Sequence, residues 1–354
     1  MVREMTPKRR AMRVVVTFAM LAGLALLPTS AGANGAYEFL SPAFGMDTAP
    51  DGSLLVANTA EGIWEIRAGD TGLVAELGGA SDVAAIGRGN MLALTSEPFD
   101  PVFEPTAQRL FRVSRGHVKE VANLYEYEMA YNPDQSWNPG EPESNPFNLA
   151  HLNGGKALVA DAAGNDILYV DESGNVDWVA VLTPQAICDG SGPVSFLCDF
   201  LPPDFMAQPV PTSIAVGPDG HYYAGELTGF PGTPGWSRIW RIENGSRHVV
   251  CPSDACVEVA SGLTSIVDLE FGPDGTLYVA ELDAAGWFAT EGGPVVAPAA
   301  GGTVRACDVD TGSCPVIADG LDLPTAVEVD KDGNVWVIEN DFLPFGTATV
   351  RPLF

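Results

Sequence analysis

The chain has 354 residues, with 46 Asp and Glu against 18 Lys and Arg, a formal net charge of −28. Nucleic acids and anionic membrane surfaces are polyanions, so this balance argues against both as partners and favours solubility, cations or a salty environment.

The first element reads as an export signal. Lys8, Arg9, Arg10 and Arg13 precede an apolar run over residues 14–27, and Ala31-Gly32-Ala33 offers small residues for cleavage. The run is shorter than the ~20 residues a membrane helix needs. Residues 1–33 are therefore set apart as a signal peptide for the general secretion route, with an uncleaved anchor as the alternative. They contain five of the Lys and Arg and one Glu, so 13 basic and 45 acidic residues remain, or −32 net. No later segment is long and apolar enough to span a bilayer, and the expected location is secreted or periplasmic.

From residue 36 onward the chain repeats. Six times an apolar stretch meets a tight turn at Gly52, Gly89, Gly155, Gly220, Gly275 or Gly333, and a second apolar stretch follows. Six residues after these glycines stand Asn58, Thr95, Asp161, Glu226, Glu281 and Glu339. Each unit reads as four short strands, rich in β-branched and aromatic residues and bounded by Gly, Asn, Asp and Pro. In the third unit they cover 148–152, 157–161, 166–170 and 176–182. In the fourth they cover 212–216, 221–226, 238–242 and 248–250, the last resuming at 257–259. No segment carries helical periodicity. A unit of this kind cannot bury its own apolar face, which predicts an all-β, six-bladed β-propeller over residues 36–354. The last unit supplies three strands, and residues 37–40 are predicted to add the fourth and close the ring.

Cys188 with Cys198, Cys251 with Cys256, and Cys307 with Cys314 form three local pairs, read as disulfides of an exported chain. Each closes a short loop worth ~2–3 kcal/mol on the chain-entropy model.

Antiparallel blades sort the loops by face. The long segments 96–107, 227–236, 282–301 and 341–346 follow second strands, while 125–146 and 183–210 are crossovers, so all six are expected on one face. Second strands end at that face, which predicts that Asn58, Asp161, Glu226, Glu281 and Glu339 approach the mouth of the central channel. Aligned first strands add Asp82, Asn148, Ser213 and Asp268, with Gly45 and Ala326 at the same position. Converging carboxylates and amides repel one another unless a cation or proton sits among them, and oxygen donors of this kind suit Ca²⁺. A solvated, hydrogen-bonded channel lining is the alternative.

Aromatic residues populate the long loops: Phe99, Phe103, Tyr125, Tyr127, Tyr131, Trp137, Phe205, Phe230, Trp236, Trp287, Phe288 and Phe342. Rings around a few polar groups suit an organic ligand, although long loops also need a small core of their own. There is no Gly-x-Ser-x-Gly elbow and no His pair at zinc spacing. His117, His221 and His248 fall at hairpin turns, and His151 is expected to pack between blades.

Two functions fit these features. One is a small-molecule site at the channel mouth, with Ca²⁺ polarising a carbonyl and Glu226 or Asp161 as base, the reaction unassigned. The other is a non-catalytic exported module that binds a protein or glycan through the same face.

Asn145-Pro146-Phe147 leading into the run from Ala157 to Asp166, and the run from Pro211 to Gly220 followed by Gly225-Glu226-Leu227-Thr228-Gly229-Phe230-Pro231, resemble the ScyD/ScyE family. The resemblance covers most of the chain after the signal. It implies an exported propeller related at fold level to the strictosidine-synthase, gluconolactonase and NHL-repeat groups, and it supplies no established reaction.

Overall fold

The computed structural model describes residues 35–87, 89–96, 105–192, 196–290, 299–341 and 346–354. The expected signal peptide, 1–33, and the loop aromatics Phe99, Phe103 and Phe342 lie outside these residues.

Six antiparallel sheets form the blades of a propeller, each running from an inner first strand to an outer fourth strand. The first strands are Ala43–Thr48, Ala80–Gly87, Pro146–Leu152, Pro211–Val216, Ile266–Phe271 and Pro324–Val329. All six turn glycines have positive φ, between 65° and 87°, which side chains with a Cβ rarely adopt. Both faces of each sheet are covered, so alternate residues point into opposite seams. The core is accordingly divided into six apolar clusters, each drawn from two neighbouring blades. One such cluster joins Phe39, Trp64 and Val350, and another joins Leu158, Ile214 and Trp240.

The ring closes as predicted. Strand Tyr37–Phe39 pairs antiparallel with Thr347–Pro352 and completes the sixth blade. Asn340 seals the join: its Oδ1 accepts from the Ala43 N–H at 3.0 Å, and its Nδ2 donates to the Ala43 carbonyl at 3.0 Å and to Thr325 Oγ1 at 2.6 Å. Replacing Asn340 by Ala leaves the buried Ala43 N–H without its partner, while Thr325 Oγ1 still donates to the Ala43 carbonyl at 2.7 Å, and a loss of about 1–3 kcal/mol is expected in urea unfolding.

All three predicted disulfides are present. Two local readings change. Residues 248–250 do not belong to the fourth blade. Strand Val249–Cys251 instead pairs in parallel with Val176–Leu182 of blade three, and Cys256–Leu263 is the outer strand of blade four. Pro252, which lacks an N–H, and the Cys251–Cys256 bridge mark the switch between sheets. Among the described residues there are also two short α-helices, Leu124–Tyr131 and Trp287–Thr290. In the first only Leu124 and Glu128 are buried, so no apolar stripe announces it; Asn123 caps its start by accepting from the Glu126 N–H.

Candidate functional site

Each first strand carries a register shift between its first and third residues, and the third and fifth residues then face the axis. The third position holds Gly45, Asp82, Asn148, Ser213, Asp268 and Ala326. Its polar members clasp the next blade. Asp82 accepts from the Leu149 N–H at 2.7 Å, Asn148 from Ile214 at 2.8 Å, and Asp268 from Val327 at 2.9 Å. Asn148 Nδ2 also donates to Asp268 Oδ1 at 3.2 Å, joining blades three and five. Gly45 is required here, because a Cβ would fall 2.0 Å from Asp82 Oδ1. Ser213 departs from the group: its buried hydroxyl lies against Gly225 and finds no hydrogen-bond partner.

One residue nearer the long-loop face, Phe44 and Phe147 from blades one and three meet edge to face, 5.9 Å between ring centres. The cavity of about 340 Å³ lies on the other side of this layer, reaching Pro50 in the first Gly turn. The expected pocket beneath the long loops is therefore displaced to the opposite end of the channel.

The fifth position gives this cavity its chemistry. Blades five, six and one contribute Glu270, Glu328 and Asp47, whereas blades two, three and four contribute Ala84, Ala150 and Ala215. One wall is acidic and the facing wall is apolar. Asp47 accepts from the Ala85 N–H at 2.6 Å and Glu328 from the Thr48 N–H at 3.0 Å. Among the described residues no Lys, Arg or His forms an ion pair with Asp47, Asp82, Asp268, Glu270 or Glu328. Burial pushes the Asp47 carboxyl up to about 6. Burial, then the charges of Asp47 and Asp268, push Glu270 up to about 8. Glu328 rises well above the ordinary range through burial and the charges of Asp47 and Glu270. Burial also raises Asp268 to about 7. His151 lines the cavity instead of packing between blades, and burial followed by the Arg112 charge lowers its pKa.

The residues at the ends of the second strands do not converge with this group. Each is engaged at its own blade. Asn58 accepts from Ser41 Oγ at 2.6 Å and from the Ala60 and Glu61 N–H groups. Asp161 accepts from Ser144 Oγ and the Asn145 N–H, both at 2.6 Å, and from the Gly164 N–H at 3.0 Å. Glu226 is paired with Arg238, and accepts from Trp240 Nε1 at 3.1 Å and Gln185 Nε2 at 2.9 Å; burial still raises its carboxyl to about 7. Glu281 is paired with Arg305 at 2.6 Å and accepts from the Thr264 N–H at 2.6 Å. Glu339 is paired with Arg351 and accepts from the Asp322 N–H at 2.9 Å. These contacts fasten the incoming loop and the third strand to the second. Above them Phe205, Phe230, Phe288 and Trp287 pack ring against ring as a small loop core.

Among the described residues no three His, Cys, Asp or Glu side chains form a ready-made coordination sphere. The donor chemistry of the acidic wall nevertheless fits a hard cation: Asp47 and Glu328 each give one oxygen to a backbone N–H, and Glu270 gives neither to a side chain or backbone of another blade.

No family model and no curated protein matches the sequence. Solved structures do resemble the fold. A gluconolactonase from Xanthomonas campestris superposes with a TM-score of 0.55 at 11% identity, over 96% of this chain and 100% of that one. A streptogramin B lyase gives 0.51 at 14% identity, over 92% and 100%. A chain of a nidogen–laminin complex gives 0.50 at 12% identity, over 81% and 85%. The likeness is one of fold. Two neighbours named as enzymes and one named as a protein complex share it, so architecture alone assigns no reaction. Among the described residues no helix is long and apolar enough to cross a membrane.

Proposed function

We propose that this chain is an exported propeller that binds a small, positively charged ligand in its central cavity, against Asp47, Glu270 and Glu328. The observation that carries this reading is the segregation of the fifth position into three contiguous carboxylates facing three alanines. Such a wall repels itself when ionised and is relieved by positive charge, while the alanines accept apolar surface. Ca²⁺ is the simplest occupant, and an organic ammonium would use both walls. Export is supported by the N-terminal signal pattern and three disulfides. The ScyD/ScyE resemblance supports the same location without assigning a reaction.

Calorimetric titration with CaCl₂ and with an alkylammonium salt tests the reading. Burial pushes Asp47 up to about 6 and Glu270 up to about 8, so a cation competes with protons. Affinity is expected to rise as pH goes from 5 to 8, with protons released on binding. Absence of heat from both ligands at pH 8 would overturn the proposal.

A further inference from the structure

A second acidic group lies off the channel, between the blade two-to-three crossover and blade three. Helix Leu124–Tyr131 buries Glu128 on the face it shares with Leu124, one turn away. The hairpin after strand Lys156–Asp161 brings Asp161 and Asp166 to the same place. Gly164 sits at their junction: a Cβ there would lie 3.2 Å from Asp161 Cγ, 3.3 Å from Asp166 Oδ1 and 3.3 Å from Glu128 Cδ. Asp134 is adjacent, its Oδ2 accepting from Asn138 Nδ2 at 2.9 Å and Asn165 Nδ2 at 3.0 Å.

The four carboxylates differ in how they are satisfied. Asp161 has three donors and Asp134 has two. Glu128 and Asp166 are both fully buried; no other group donates to their four oxygens, and the two carboxyls lie within hydrogen-bonding reach of each other. Among the described residues no Lys, Arg or His forms an ion pair with any of the four. Two buried carboxylates face each other with negative neighbours and nothing positive. An isolated buried charge of this kind is expensive by several kcal/mol.

We infer that Glu128 and Asp166, with Asp134 beside them, hold a divalent cation of the Ca²⁺ class that pins the crossover helix to blade three. Hard oxygen ligands in an enclosed, all-acidic site suit such an ion. The carboxylates do not already form a closed sphere, so the ion would draw them together. Burial and the Asp161 and Asp134 charges raise Glu128 to about 9, which agrees with a site that needs a counter-charge. This site is independent of the channel reading.

The test compares thermal unfolding of the purified protein at pH 8 in CaCl₂ and in EDTA, for three forms. Calcium is expected to raise the midpoint of the wild type and of the channel variant Asp47→Asn/Glu270→Gln/Glu328→Gln. The rise should vanish when Glu128→Gln/Asp166→Asn is added to the channel variant, and the midpoint of that combined form in EDTA should be no lower than that of the channel variant. A calcium-induced rise that survives in that combined form would overturn the inference. So would its absence from both the wild type and the channel variant, which would mean that the pair shares a proton instead. Should the combined form not fold, native mass spectrometry of the channel variant decides: one retained Ca²⁺ supports the site, and none refutes it.

Discussion

Glu270→Gln is expected to raise the unfolding midpoint at pH 8 while abolishing cation binding in the cavity. Glu270 is half-buried, has no ion-pair partner among the described residues, and faces the charges of Asp47 and Asp268. Its folded pKa of about 8 lies above the ordinary 4.5, so folding favours the protonated form. The stability this contributes is complete below pH 4.5 and is lost as pH rises through 8. Wild-type stability should therefore fall across that window in chelator, and Asp47, raised to about 6, steepens the lower part of the fall. Glutamine keeps the shape and removes the charge. A gain of about 1–3 kcal/mol at pH 8, shrinking towards zero at pH 4.5, is the expected result from urea unfolding. Loss of ligand affinity together with a gain in stability marks a group retained for binding. Equal stability of both forms across the window would show that Glu270 is not held under strain by its neighbours.

Arg238→Ala is expected to have the largest effect of the opposite sign. Glu226 is fully buried, and Arg238 supplies its only cationic partner among the described residues. Removing one member of a buried pair strands the other and costs about 3–5 kcal/mol. Trp240 Nε1 and Gln185 Nε2 still donate to Glu226, which places the expected loss toward the lower end of that range. Glu226→Gln with Arg238→Met removes both charges and should recover much of the loss in the same urea measurement. If Arg238→Ala alone leaves stability within about 0.5 kcal/mol of wild type, the typical limit for surface substitutions, the pair is not a structural fastener.

The sequence made the frame readable because its punctuation is local. Positive-φ glycines, closely spaced cysteines and a spare N-terminal strand each state their role within a few residues. The site was less readable because it depends on a two-residue step. Aligning first strands at Asp82, Asn148 and Asp268 identified the position that clasps neighbouring blades, and moving two residues on would have reached Asp47, Glu270 and Glu328. Acids at the ends of second strands resembled a converging ring, yet Arg238, Arg305 and Arg351 on third strands were available to engage them. That pairing follows from cross-strand geometry and was visible in principle. Glu128 was hidden more deeply, since a buried acid on a short helix mimics an exposed face until the fold encloses it.

The acidic wall is tested most directly by crystals of the protein at pH 8, soaked separately in calcium and in an alkylammonium salt. The account predicts positive density bounded by Asp47, Glu270 and Glu328, with calcium at about 2.3–2.6 Å from their oxygens. A cavity free of either cation in both soaks would contradict it.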